Sequence, residues 1–402
     1  MRYYLKIVVV LFLGLSTLGS AQSLDGYLEE AAGNNPLLKA KYAEFQSSVQ
    51  RVAQVNSLPN PSISFGFLLS PSTPHPGNEK ASIGIQQMIP WFGTLKTSGS
   101  IYELQSEALY HDFLDAKNEL YMNVKSAWYP LYVVNREILL QKENRKVLMS
   151  YKQLATTGFK VGKNSMVDVI RVDLLIENTG TEIKLLEEEI KPLTITFNNL
   201  LNKEDTFEIA IEDTIGLVEI PLNYRRDSLL ANNPTLQSLD LKFQSAQASE
   251  VLAGKEGLPS FGVGVNYSFM PDSRNMIMPM FSLTLPIYRK RYKAFAREAQ
   301  LNQEAIEFYK SDFKNTLISN YEMTWYELES SKEQLSLYQK QIEKSKIVIT
   351  LLEKEYSNTG EDFIEILRMQ QELINYQIAE ATAISNFYIA LAKLDYITAK
   401  SN

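Results

Sequence analysis

The chain repeats itself once, and that repetition limits its fold more than any other feature. Asn34-Asn35-Pro36-Leu37 returns 198 residues later as Asn232-Asn233-Pro234-Thr235, and Phe45-Gln46-Ser47 returns at the same offset as Phe243-Gln244-Ser245. Leu58-Pro59 matches Leu258-Pro259 at an offset of 200, and Trp128-Tyr129 matches Trp325-Tyr326 at 197. Phe159 and Asp168 match Tyr356 and Glu365, again at 197, with Gly162 and Gly360 close by. Landmarks kept in one order at a nearly constant offset indicate a tandem duplication of a unit of about 200 residues, far longer than a solenoid repeat. The first copy reads as 22–201 and the second as 225–402. Residues 202–224, with the β-prone stretch 207–211, read as the connector.

Each copy reads as helix, hairpin, long helix, turn, helix. Leu38, Tyr42, Phe45, Val49 and Val52 have helical spacing, and Pro59 and Pro61 end that helix. The period then changes to two. Ile63, Phe65, Phe67 and Leu69 alternate with Ser62, Ser64, Gly66 and Leu68; a turn-rich stretch, 70–78, leads to a second strand and completes a hairpin over 62–89. Gln86-Gln87 breaks the alternation and suggests a bulge. The second hairpin, 260–286, sets Phe261, Val263, Val265, Tyr267 and Phe269 against Gly262, Gly264, Asn266 and Ser268. It continues with Ile277, Phe281, Leu283 and Leu285 against Met278, Met280, Ser282 and Thr284. Large apolar residues on one face and small polar ones on the other are the pattern of membrane β-barrel strands. A half-buried soluble hairpin shares the period.

The helices that follow, 95–157 and 288–356, would each span on the order of 90–100 Å. Glycines near 158–162 and at 360 turn the chain into return helices, 165–201 and 362–400. Helices this long outrun a globular core, so they must pack on one another as coiled coils. Pro130 predicts a kink in the first.

Arg2 and Lys6 flank the polar start, Ile7–Leu15 is apolar, and Gly19-Ser20-Ala21 is small. That is the layout of a secretory signal peptide over 1–21, with an apolar run too short to span a bilayer. No later segment offers 18 consecutive apolar residues. The net charge of −7 falls to −9 once Arg2 and Lys6 are removed, which speaks against a nucleic-acid coat. The chain has no cysteine, which excludes disulfides, thiolate metal sites and Cys nucleophiles. Two histidines, His75 and His111, do not furnish a His-rich metal site or a Ser-His-Asp triad. The sequence points to no catalytic constellation and no cofactor. Met270, Met276, Met278 and Met280 cluster around the second hairpin; thioethers suit Cu(I) or Ag(I), and methionine equally serves as a strand filler.

Four strands cannot close a barrel, and a lipid-exposed open edge costs several kcal/mol for each unpaired group. Copies of the chain must therefore share one barrel. Two copies give eight strands, a barrel filled by its side chains. Three give twelve and an open lumen, which suits an inner face of Gly, Ser and Asn.

The Asn-Asn-Pro helix openings, the hairpins and two glycine-turn segments together carry a family resemblance. The segments read Phe159-Lys-Val-Gly162-Lys-Asn-Ser-Met-Val-Asp168-Val-Ile and Tyr356-Ser-Asn-Thr-Gly360-Glu-Asp-Phe-Ile-Glu365-Ile-Leu. Across essentially the whole mature chain the sequence resembles the TolC-like outer-membrane efflux channel family. The resemblance implies a mainly α protein with a membrane β-barrel: a homotrimer with a twelve-stranded barrel in the cell outer membrane and a twelve-helix tunnel in the periplasm. It implies a passive exit channel of a tripartite efflux system for small molecules or metal ions. A periplasmic adaptor would open it and join it to an inner-membrane transporter. The outer-membrane part of a type I protein secretion system and a non-spanning periplasmic helical scaffold are the alternatives. The sequence departs from the family at Arg368, where some members carry an acid, and at Thr359, where valine is usual.

Asp168 and Glu365 follow Ser165 and Asp362 at capping-box spacing, which suits a helix start and its dipole. Repeated threefold, the same carboxylates would ring the tunnel mouth as a gate, with Arg171 and Arg368 as partners that lock it shut. The turns Val161-Gly162-Lys163-Asn164 and Thr359-Gly360-Glu361-Asp362 are the expected adaptor-docking loops.

Overall fold

The structure, a computed structural model, describes residues 24–67, 80–163, 165–211, 215–216, 230, 232–270, 274–359 and 363–400, with backbone only at 358 and 359. The signal peptide, the 70–78 turn with His75, Asn164, Gly360, Glu361, Asp362 and most of 212–224 lie outside the described residues. The elements run α1 (Leu24–Asn34), α2 (Pro36–Val55), β1 (Ser62–Phe67), β2 (Ala81–Ile89), α3 (Thr94–Lys160), α4 (Met166–Leu201), α5 (Pro234–Glu256), β3 (Ser260–Phe269), β4 (Met276–Thr284), α6 (Lys290–Thr359) and α7 (Phe363–Ile397). The protein is mainly α, with a single four-stranded sheet among the described residues.

The two Asn-Pro openings do the same local work. Asn35 Oδ1 accepts the Leu38 amide and Asn233 Oδ1 accepts the Leu236 amide, each at 3.1 Å. Proline then occupies the first helical turn, where its missing N–H costs nothing. α3 and α4 continue unbroken through Pro130 and Pro192. Each proline removes one backbone hydrogen bond from its helix without ending it.

The chain divides into two compact units, and neither coincides with a repeat. One comprises Met1–Leu38, Lys117–Leu229 and Ile318–Asn402; the other Lys39–Ala116 and Leu230–Leu317. In the first, α1 packs through Tyr27 edge-on against Phe197 of α4, ring centroids 5.2 Å apart. The Ala210 amide donates to the Tyr27 hydroxyl, and fully buried Asn198 donates to the carbonyls of Glu204 and Phe207. The 207–211 stretch is therefore pinned by side chains and forms no strand. α3 and α4 interlock through Val134, Ile138 and Leu186.

The second unit holds the sheet, antiparallel throughout in the order β1-β2-β3-β4. Its registers are regular: Ser62 pairs with Gln86, Ala81 with Phe269, Ile89 with Phe261, and Ser260 with Thr284. The bulge expected at Gln86-Gln87 is absent, since Gln86 pairs with Gly264 and Gln87 with Val263 in unbroken sequence. The registers place Ser62, Ser64, Gly66, Ser82, Gly84, Gln86, Gly262, Gly264, Asn266 and Ser268 on one face, so Gln86 belongs to the small polar row. Gln87 falls on the apolar face, where its amide donates to the Pro59 carbonyl at 2.7 Å. That carbonyl lies just before β1 begins and is reached by no strand.

Candidate functional site

Two regions hold the candidate functional residues, one in each unit. The first is the apolar face of the sheet. Phe65, Phe67, Ile277 and Phe281 are 67–83% exposed there, with Ile63, Ile85 and Leu283 more than half exposed. Aromatic clusters bound this face at both ends. At one end Trp91 stacks on Phe261 at 5.6 Å and Phe92 lies 6.2 Å from it. At the other, Tyr267 meets Phe269 edge-on at 4.8 Å, and the register sets Phe67 across Ala81 from Phe269. Eight residues separate Phe261 from Phe269, about 27 Å of strand. An apolar band about 25 Å tall between aromatic girdles is what a bilayer selects in a barrel wall. An exposed apolar surface of this extent on a water-soluble chain would be an aggregation liability.

The opposite face is held close by glycine. A Cβ on Gly264 would sit 2.6 Å from the Ile85 carbonyl oxygen, which is backbone and cannot swing away. One on Gly262 would meet Ser282 Oγ and Gln86 Nε2. Gln86 of β2 reaches over these glycines to donate to Ser282 Oγ of β4 at 2.6 Å. Met276, Met278 and Met280 lie on this face along β4, and Met88 on β2 sits over Gly262.

The second region is the turn between α3 and α4 with the neighbouring ends of α6 and α7. α3 closes in a Schellman motif. The Lys163 amide donates to the Gly158 carbonyl at 2.8 Å, the Gly162 amide to Phe159 at 3.1 Å, and Gly162 takes φ +74°. A side chain with a Cβ would be strained there. Ser165 then caps α4. Its Oγ accepts the Val167 amide at 3.1 Å, and Asp168 Oδ2 accepts the Ser165 amide at 3.2 Å, forming a capping box. The other Asp168 oxygen lies 3.7 Å from Arg171, while Glu365 meets Arg368 at 2.6 Å. Both acid–arginine pairs use the i,i+3 spacing on one helix face. Val161 and Lys163 are exposed in the turn.

Beneath the turn the four helices share one core. Leu148, Tyr151 and Ala155 of α3 pack with Val169 and Val172 of α4, Tyr356 of α6, and Phe363, Ile366 and Leu367 of α7. The spacings of three and four along each helix give each one an apolar stripe facing the others. Tyr151 donates its hydroxyl to Glu353 at 2.7 Å. Burial first, then that carboxylate, hold the Tyr151 phenol well above its ordinary range. Further along, burial and the nearby Glu182 and Glu189 raise the Glu137 carboxyl above its usual value. Gln370 donates to Asn144 at 3.2 Å between buried amides. Tyr151, Glu353 and the Trp91–Phe92 girdle do not stand out in the sequence; Trp-Phe directly after Pro90, at the end of an alternating strand, was the available signal for the girdle.

No family model matches the chain and no curated protein matches it; the solved structures do. OprN, an outer-membrane channel, is 16% identical with a TM-score of 0.78, covering 94% of this chain and 90% of its own. VceC, an outer membrane protein of Vibrio cholerae, is 12% identical with a TM-score of 0.75, covering 93% and 95%. The MtrE outer membrane channel of Neisseria gonorrhoeae, in its open state, is 15% identical with a TM-score of 0.76, covering 94% and 89%. The chain has a TolC-like outer-membrane channel fold. The matches cover more than nine-tenths of this chain, so the likeness is to the whole fold and not to a fragment of it. At identities of 12–16% what these structures share with the chain is the fold.

Proposed function

We propose that three copies of this chain close a twelve-stranded barrel in the cell outer membrane, above a tunnel of twelve helices in the periplasm. The carrying observation is the exposed apolar band between two aromatic clusters, on a sheet whose outermost strands, β1 and β4, each have one unpaired edge among the described residues. Pairing β1 of one copy with β4 of the next satisfies both edges and puts the band in lipid. Twelve strands leave an open lumen lined by the small polar face. The two copies of the repeat, 22–201 and 225–402, then supply equivalent halves of each wall.

The protein acts as a passive exit conduit of a tripartite efflux system for small molecules or metal ions. An inner-membrane transporter supplies the energy, and a periplasmic adaptor docks at the turns Val161–Asn164 and Thr359–Asp362. Asp168 and Glu365, each paired with an arginine three residues on, form the periplasmic gate. The mature chain should fractionate with outer membranes, migrate on gels as an oligomer that heat converts to monomer, and form ion-conducting pores in planar bilayers. A detergent-free, water-soluble monomer would point to the periplasmic scaffold instead.

A further inference from the structure

We propose that the junction where β4 passes into α6 binds the phosphate headgroups of anionic phospholipids. The proposal rests on the membrane reading above. Residues 289–297 hold Arg289, Lys290, Arg291, Lys293 and Arg297 with no acidic residue among them, and all five cations are exposed. Among the described residues only Arg297 of the five reaches a carboxylate, that of Glu304 at 3.8 Å.

Three observations point this cationic cluster at lipid. It directly follows Leu285, Ile287 and Tyr288, which are 57–82% exposed and extend the apolar row of Phe281 and Leu283 beyond the end of β4. It stands at the same end of the sheet as the Trp91–Phe261 stack, where a bilayer changes from hydrocarbon to headgroup. A groove lined by Trp91, Leu285, Tyr288, Lys255 and Arg291, with the carboxylate of Glu256 also in its wall, brings apolar side chains and a net positive charge together, the chemistry of an acyl chain beneath a phosphate. The Arg291 guanidinium also lies over the Phe295 ring at 5.3 Å, which holds its planar fork in place. The cation excess belongs to one end of the band alone. By sequence, the segments joining the strands at the other end carry Glu79 and Asp272 against Lys80 and Arg274. The two ends of the band therefore differ in charge, and only the basic one offers an excess of cations to phosphate groups.

The test reconstitutes the mature full-length oligomer in phosphatidylcholine vesicles and measures, by electron spin resonance, the motionally restricted fraction of spin-labelled phosphatidylglycerol against spin-labelled phosphatidylcholine. The wild type should prefer phosphatidylglycerol about fivefold. The preference should fall toward unity in the Arg289→Gln, Lys290→Gln, Arg291→Gln, Lys293→Gln variant, and in the wild type at about 1 M salt. The salt arm decides the matter if the variant fails to assemble. No preference in the wild type, or one that survives both changes, overturns the headgroup site and leaves the membrane reading standing. If neither lipid is restricted, the membrane reading falls and the headgroup site falls with it.

Discussion

Gln86 and Ser282 sit 196 residues apart on strands that are not paired with each other, yet the Gln86 amide donates to the Ser282 hydroxyl at 2.6 Å. The bond is possible because the intervening strand presents Gly262 and Gly264 beneath it. Glycine on this face leaves room for the long amide to cross the strand between them. Gly264→Val should therefore do more than add bulk, since its Cβ would press on the Ile85 carbonyl. We expect about 1–3 kcal/mol of destabilisation, read as loss of the heat-modifiable oligomer. Gly66→Ala should be milder, because its Cβ would meet only the hydroxyl of Ser82, which can rotate.

The capping box gives Asp168 two roles that one experiment can separate. Ser165→Ala removes a helix cap, should cost about 1 kcal/mol, and should leave conductance alone. Asp168→Ala with Glu365→Ala removes the carboxylates that hold Arg171 and Arg368. We expect larger single-channel conductance and weaker cation preference in planar bilayers from that variant. Unchanged values of both would confine Asp168 and Glu365 to structural roles.

Tyr151 sets an alkaline limit on the four-helix core. Its folded pKa lies above the unfolded value, so folding binds the phenolic proton more tightly. The stabilisation is complete below the unfolded value of about 10 and drains away as pH rises past it. Thermal melting of the wild type should fall above pH ~10. Tyr151→Phe should melt lower than wild type at neutral pH, because the bond to Glu353 is gone, but should decline less steeply in alkali.

Glu137 follows the same sign in a lower pH range, so at neutral pH its contribution is already lost. Its carboxyl is raised by burial and by Glu182 and Glu189. A raised carboxyl favours the fold below the unfolded value and loses that contribution as pH climbs through the folded one. Glu137→Gln should then stabilise the protein at pH ~7 by a few tenths of a kcal/mol, given partial solvent screening. The gain should vanish near pH ~4, where the wild-type carboxyl is protonated.

The strand faces could be read from the sequence because period two commits each residue to a side. The glutamine pair misled for the same reason. Polarity at Gln86 and Gln87 looks like a break in an alternating strand, but Gln86 already belongs to the polar row and Gln87 serves the Pro59 carbonyl. The partner of Gln86 lies in the other half of the chain, where no local pattern announces it. The cap at Asp168 was legible because a capping box is written within four residues. Tyr151 and Glu353 were not, since they meet only after the four helices have packed. Equal sequence also did not guarantee equal surroundings. Tyr129 is buried and stacks on Tyr388 at 5.0 Å, whereas its counterpart Tyr326 is 67% exposed.

The two outermost strands, β1 and β4, carry a genetic consequence. In a ring where each copy offers one edge and accepts another, a chain spoiled at β4 can still join through β1. It then blocks closure for its healthy neighbours. Co-expressed with wild type in equal amounts, such an allele would leave only about one ring in eight free of it if assembly is random and threefold, as the membrane reading requires. Damage at this sheet should therefore be inherited as dominant, while damage that merely unfolds the chain should be recessive.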